Sequence, residues 1–369
     1  MRAKSRLWKI TRIILYLVAS LVVIFLFGVV PWFLTTIITT GQFHFHDPDD
    51  GKTPQSYGMD FHPIEFASSD AILLKGWYIP ASGEAHGTII YCHGLNRTRI
   101  EMLPMAVFAH SLGYNGLLFD LRHQGESGGA MKSLGYMERL DAEAAVHYAL
   151  TEEKAARPVI LWGISMGAAA ALLAAADSPD VAAVISDSTF LNYTDVIRHH
   201  YYLFRGFVRW FPPLPSFPIA DEVIHWAAWR ANFDPVDFDL EKAVKRIGDR
   251  PVLFVAVEGD RRMPPSIAQK LYADAQSPLK KLVVVPGTRH GEGFKSGNQQ
   301  YEEAVTHFLT SLPAASSALS RSSEWVAQTF ASQKVPETPS GRGCGSSRQG
   351  TAEFENRLSS VTCNLAPVP

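Results

Sequence analysis

Apolar positions fall into three regimes along this chain. From Ile13 to Leu34 they form an almost uninterrupted run. About 20 residues of helix, rising 1.5 Å each, span the hydrocarbon of a bilayer, so residues 13–34 predict a transmembrane helix. Residues 35–56 are polar, carry a turn at Asp47-Pro48-Asp49-Asp50-Gly51, and are expected to form a stalk. From Phe61 the apolar residues come in short runs. Phe61 to Phe66 and Ile72 to Ile79 predict a hairpin pair. Thr88 to Cys92, Gly116 to Phe119, Val159 to Trp162, Val181 to Ile185, Val252 to Val257 and Leu282 to Val285 predict six further strands. Helical patterns separate most of them, including Ile100 to Leu112, Arg139 to Glu153, Pro265 to Ala275 and, at the end, Gln299 to Leu312. Apolar strands alternating with helices imply an α/β fold, a mostly parallel eight-stranded sheet with helices on both faces.

One segment breaks the alternation. Between Ile185 and Pro251 no strand is predicted, and Tyr201, Tyr202, Phe204, Phe207, Trp210, Phe211, Trp226 and Trp229 crowd the interval. It is expected to be a helical insertion above the sheet, about residues 189–240. After Pro313 the composition turns to Ser, Gly, Pro and Gln without periodicity, which predicts a disordered tail over 314–369.

Charge then orients the first helix. Arg2, Lys4, Arg6, Lys9 and Arg12 all precede the apolar run, and the next lysine after it is Lys52. By the positive-inside rule, residues 1–12 stay cytoplasmic and the remainder is exported, held by a single-pass anchor. A cleaved signal peptide would have a shorter apolar region followed by small residues, whereas Pro31-Trp32-Phe33-Leu34 ends this one. The formal net charge of -2 over 369 residues gives no electrostatic reason for a nucleic-acid partner. Cys92, Cys344 and Cys363 are too scattered for a disulfide framework or a zinc site. His44, His46, Asp47 and Asp49 cluster in the stalk, but no second ligand set follows. They are taken as a solvated loop, and no metal or organic cofactor is expected.

The candidate chemistry centres on Gly163-Ile164-Ser165-Met166-Gly167. A predicted strand runs into it and an alanine-rich helix leaves it, the setting that a strained nucleophile turn requires. Glycines two residues before and after the serine let strand and helix pass closely. A serine hydroxyl needs a base to take its proton and a carboxylate to hold that base. The strand Val252 to Val257 ends in Glu258-Gly259-Asp260, and the strand Leu282 to Val285 leads to Gly287-Thr288-Arg289-His290-Gly291. Carboxyl ends of parallel strands face one crevice, so Ser165, Asp260 and His290 are expected to converge. Glu258 and Asp187 are competing acids. Backbone N–H groups for an oxyanion are expected from Met166, the residue after the nucleophile, and from Leu95 in the His93-Gly94-Leu95-Asn96 loop. His93 itself is expected to be structural.

Together with Leu74-Lys75-Gly76-Trp77-Tyr78-Ile79-Pro80 and Asp120-Leu121-Arg122, these motifs resemble the α/β-hydrolase superfamily over about Tyr57 to Leu312, within an expected hydrolase domain of residues 57–313. The resemblance is closest to its membrane-anchored serine hydrolases, in the serine aminopeptidase and prolyl-oligopeptidase-like branch. It implies a cap over the substrate in the insertion. The family pattern D-x-R-G-x-G-x-S is departed from at His123 and Gln124 in Asp120-Leu121-Arg122-His123-Gln124-Gly125-Glu126-Ser127. The expected activity is cleavage of an ester, thioester or amide through an acyl-serine. The expected partners are a small-molecule or lipid-like acyl substrate and, through the anchor, the membrane. An acyltransferase on the same triad and a non-catalytic binding module are the alternatives.

Overall fold

The computed structural model describes residues 2–42, 44–204, 216–294 and 299–312. The expected tail over 314–369 and the aromatic residues Phe207, Trp210 and Phe211 lie outside these residues.

The chain begins with helix α1 (Arg2–Ile24), a π-helical turn over Phe25–Val29 and helix α2 (Val30–Thr39). The π-turn falls just before Pro31, which has no N–H to give the preceding turn. Trp8–Thr39, 32 residues, is long and apolar enough to cross a membrane. The sequence places the end of the span at Leu34 and the start of the stalk at Thr35; that boundary is corrected, because helix continues to Thr39. The reason lies in what these residues touch. Trp32 packs edge-on against Trp226 with ring centroids 5.3 Å apart, and the Arg230 guanidinium lies 3.7 Å over the Trp32 ring. Thr35 donates to Val223 O at 3.5 Å, and Arg230 donates to Thr36 Oγ1 at 3.0 Å. The last turns of this N-terminal helix are thus docked on the insertion.

Next come strands β1 (His62–Ala67), β2 (Leu73–Ile79), β3 (Thr88–Cys92), β4 (Asn115–Phe119), β5 (Val159–Ile164), β6 (Val181–Asp187), β7 (Val252–Val257) and β8 (Lys281–Val285). They form one sheet in the order β1-β2-β4-β3-β5-β6-β7-β8. β1 and β2 pair antiparallel, β2 pairs antiparallel with β4, and every later pairing is parallel. All residues of β3, β4, β5 and β7 are buried, as expected for strands covered on both faces. One face is covered by α4 (Glu138–Thr151), α5 (Met166–Asp177), α8 (Leu240–Ile247) and α9 (Pro265–Asp274), the other by α3 (Leu103–Ser111) and α10 (Gln299–Thr310). The insertion carries α6 (Tyr193–Phe204) and α7 (Ser216–Arg230).

Register brings the strand ends into line. Cys92 stands beside Gly163, Ile164 beside Asp187, and Val257 beside Val285. The loops leaving β3, β5, β6, β7 and β8 therefore start level with one another along one edge of the sheet.

Candidate functional site

Ser165 sits at the turn between β5 and α5 with φ 54° and ψ -115°, a conformation that L-residues rarely adopt. The flanking glycines explain how the chain tolerates it. A Cβ on Gly163 would lie 2.4 Å from the Gly167 carbonyl carbon, and one on Gly167 would lie 2.0 Å from Cys92 O. No side chain fits at either position, so β5, β3 and α5 can cross this closely only with glycine there. The turn is tied down by Ser165 N–H donating to Asp187 O at 2.8 Å. Ser165 is 8% exposed.

Of the three candidate acids, Asp260 is the one that meets the histidine. His290 Nδ1 lies 2.7 Å from Asp260 Oδ2; the Asp260 carboxyl is buried and the His290 ring is partly exposed. The other oxygen, Asp260 Oδ1, accepts the N–H groups of Arg262 and Met263 at 2.8 and 3.0 Å. Burial pushes the Asp260 carboxyl up, but the hydrogen bond and charge of His290 and these two backbone donors outweigh it and hold the pKa below the ordinary value. His290 Nε2 is buried with no hydrogen-bond partner among the described residues. The loop bearing it rests against β5, since a Cβ on Gly291 would touch Ile164 Cγ2 at 3.4 Å. Asp187 is occupied elsewhere: it accepts from Ser188 Oγ at 2.7 Å and from Tyr301 Oη at 2.9 Å. Burial raises its pKa to about 6, against those hydrogen bonds. Glu258 is exposed to solvent and does not take the place of Asp260 beside His290.

The loop after β3 is fixed donor by donor. Gly94 N–H donates to Glu101 Oε2 at 2.7 Å and Asn96 N–H to Gln124 Oε1 at 2.6 Å. Leu95 N–H, between them, has no acceptor among the described residues. Met166 N–H opens α5 and so has no acceptor within the helix. His93 is fully buried and structural. Its Nδ1 meets Gly94 O at 2.8 Å, and its Nε2 accepts Leu121 N–H at 3.0 Å, which staples the β3 and β4 loops together.

Several residues of this region carry no sequence motif. Glu101, Gln124 and Lys132 brace the loop of Leu95, the last through a short hydrogen bond from Nζ to Asn96 Oδ1. The insertion reaches the acid loop through α6: His199 Nε2 lies 2.9 Å from Arg261 O, and Arg262 Nε lies 3.3 Å from His200 Nε2. Burial lowers the His200 pKa to about 4. The one sequence signal for any of these is the departure at Gln124 from the D-x-R-G-x-G-x-S pattern.

This geometry has relatives. The profile of the alpha/beta hydrolase family matches residues 89–305. The chain is 28% identical to the uncharacterized protein YqkD of Bacillus subtilis over 263 residues, 70% of this chain and 78% of that one. It is 24% identical to the uncharacterized membrane protein YNL320W of Saccharomyces cerevisiae, over 78% of this chain and 92% of that one. Among solved structures, the Pyrococcus furiosus esterase Pf2001 superposes with a TM-score of 0.59 at 21% identity, covering 73% of this chain and 98% of the esterase. The eight-stranded sheet, the strained serine turn and the family match agree, and the chain belongs to the alpha/beta hydrolase family.

Proposed function

We propose that the protein is a membrane-anchored serine hydrolase that cleaves an acyl ester, thioester or amide. The reading rests on one coincidence at the sheet edge: a strained Ser165, a His290 Nε2 whose ring is held by Asp260, and N–H groups at Leu95 and Met166, the last three atoms without a hydrogen-bond partner among the described residues. In this scheme His290 Nε2 takes the Ser165 Oγ proton as Oγ bonds the substrate carbonyl carbon. The carbonyl oxygen becomes an anion that accepts from Leu95 N–H and Met166 N–H. Collapse breaks the bond to the leaving alcohol, thiol or amine, which departs with the proton from Nε2. Water, deprotonated by the same nitrogen, then releases the acid and restores the serine. Asp260 holds Nδ1–H and stabilises the imidazolium.

The five basic residues before the span support an N-terminus in the cytoplasm and a catalytic domain outside. Protease added to spheroplasts is expected to digest the domain; digestion only after lysis would reverse the orientation. A fluorophosphonate is expected to label the wild type and not Ser165→Ala, and equal labelling of both would remove the nucleophile assignment. The aromatic insertion favours an apolar acyl group. Each buried methylene contributes about 0.8 kcal/mol, so kcat/KM is expected to rise severalfold per methylene from acetyl to octanoyl p-nitrophenyl esters. A flat series with good aminoacyl-amide turnover would indicate a peptidase.

A further inference from the structure

Arg262 follows Asp260 on the loop after β7, and its backbone N–H donates to Asp260 Oδ1 at 2.8 Å. Its side chain turns to the insertion, where Nε donates to His200 Nε2 on α6 at 3.3 Å. His200 is prepared to accept. Its Nδ1 lies 2.8 Å from Val196 O, which places the ring proton on Nδ1 and leaves Nε2 a lone pair. Burial, which lowers its pKa to about 4, keeps the ring neutral.

The guanidinium is thus held by one corner. Among the described residues its Nη1 and Nη2 hydrogens have no acceptor and no carboxylate pairs with it, although the residue is exposed. Arginines on the neighbouring loops differ. Arg97, after β3, and Arg289, after β8, each have a carboxylate at 3.3 Å, Glu101 and Glu292.

Topology says where this free fork stands. In the sheet order β5 and β6 separate β3 from β7, so the loops after β3 and β7 start about 14 Å apart. Arg262 belongs to the β7 loop, yet its guanidinium feels both the Asp260 carboxylate and the charge of Arg97 on the β3 loop. It therefore reaches back over the ends of β5 and β6, where Ser165 sits. Burial acts on it most strongly and lowers its pKa; Asp260 opposes that shift and Arg97 adds to it. A partly desolvated cation that keeps an exposed surface fits the neck of an open crevice, where pairing with an anion is worth more than in bulk water.

In the proposed reaction His290 Nε2 returns its proton to the leaving group, so that group departs on the His290 side of Ser165. His200, which holds Arg262, lies near enough to His290 for charges on the two rings to repel. We propose that Arg262 selects the substrate by binding an oxyanion, a carboxylate or a phosphate, carried on the leaving group. The substrate class is then an apolar acyl group joined to an anionic alcohol, thiol or amine. Either anion can take two parallel hydrogen bonds from the planar fork of Nη1 and Nη2. The inference deepens the acyl-serine reading and rests on it.

Full-length protein in detergent micelles is assayed on the butyrate esters of 4-hydroxybenzoate, of 4-hydroxyphenyl phosphate and, as neutral reference, of methyl 4-hydroxybenzoate. The measured quantity is the anionic-to-neutral ratio of kcat/KM; comparing it between variants and wild type cancels the intrinsic reactivity of each ester. In Arg262→Gln the ratio is expected to fall about tenfold or more for at least one anion, and the ester that shows the fall identifies the oxyanion. Arg262→Glu should fall lower still, whereas Arg262→Lys, which keeps the charge without the fork, should lie between Arg262→Gln and the wild type. Added salt should lower the wild-type ratio, a measurement that needs no variant to fold. Turnover of the neutral ester with the same ratios in wild type and Arg262→Gln, or a wild-type ratio indifferent to salt, would overturn the proposal and leave the hydrolase reading standing. An Arg262-dependent preference for mono-p-nitrophenyl suberate over methyl p-nitrophenyl suberate would put the anion on the acyl side and overturn it as well. Turnover of none of these esters would remove the acyl-serine reading and this inference with it.

Discussion

The crevice around Ser165 and the foot of the N-terminal helix share one loop, residues 93–98, yet they are built in opposite ways. In the crevice each side chain is delivered by the end of a buried parallel strand: Ser165 by β5, Asp260 by the turn after β7, His290 by the loop after β8. Position along the sheet does most of the work, and the polar contacts are few. At the foot no strand delivers anything. Lys132 N–H donates to Thr39 O at 2.7 Å, Phe45 N–H to Asn96 O at 3.1 Å, and His123 and Lys132 meet Thr40 O and Gly41 O. Segments remote in sequence meet there through carbonyls and single donors. The difference teaches that the sheet sets where chemistry can occur, while the foot sets how the N-terminal helix, the insertion and the loop of Leu95 are held to each other.

The largest expected effect tests the crevice. Asp260→Asn offers an N–H where His290 Nδ1 needs an acceptor, which favours the tautomer with its proton on Nε2, and a fall in kcat of about 10³–10⁴-fold is expected. Asp187→Asn, whose oxygen still accepts from Tyr301, is expected to stay within about tenfold of the wild type. Steady-state kinetics on one p-nitrophenyl ester compare the two. If Asp187→Asn is the more damaging change, the hydrogen bond between Asp260 and His290 is not the one that drives turnover.

The same contrast explains what can be read from the chain. β5 is a six-residue strand, hydrophobic but for Gly163, followed by serine, with Gly163 and Gly167 two positions to either side, and β7 is six apolar residues followed by Glu258-Gly259-Asp260, so strand ends and candidate site residues are visible as local patterns. Choosing among Asp187, Glu258 and Asp260 is harder in principle, because three carboxylates near strand ends differ only in side-chain direction. The helix beyond Leu34 is hidden for a related reason. Thr35, Thr36, Thr39 and Thr40 look like the start of a polar stalk, but the hydroxyls of Thr36, Thr39 and Thr40 bond back to the carbonyl four residues earlier, and the turn docks on Val223, Trp226 and Arg230. Nothing periodic links residues nearly two hundred positions apart. Lys132 is invisible by the same rule, and Gln124 shows only as a departure from a pattern: single polar residues acquire meaning from partners that the fold brings to them.

A middle-sized effect sharpens the comparison at the foot. Lys132→Met leaves Gly41 O and Asn96 Oδ1 without their donor, each loss costing about 1–3 kcal/mol, partly offset because a cation need no longer be buried. A net loss of about 1 kcal/mol is expected, read as a lowered denaturant midpoint. Because Glu101 and Gln124 still hold Gly94 and Asn96, kcat should fall only about three- to tenfold with KM little changed. A loss as deep as that of Asp260→Asn would mean the foot is part of the catalytic machinery rather than its brace.

The smallest effect separates the two buried carboxyls of the crevice by pH. Burial raises Asp187 to about 6, above its value in an unfolded chain, so the folded state binds the proton more tightly. Its stabilising contribution is then complete below about pH 4 and is lost as pH rises through about 6. Asp260 has the opposite sign: His290 and two backbone N–H groups hold it below its ordinary value, so its contribution is present above about pH 4 and is lost only in stronger acid. Between about pH 4.5 and 8, therefore, only Asp187 of the two should change what it gives. Thermal unfolding of the wild type and Asp187→Asn over that range isolates it. The variant is expected to gain on the wild type by a few degrees as pH rises through about 6, because the wild type must then either bury an anion beside Tyr301 Oη or keep a proton that the solvent draws away. A pH-independent difference between the two proteins would mean that Ser188 and Tyr301 solvate the Asp187 carboxylate as well as water does, and the crevice would then hold two ionised acids, Asp187 and Asp260.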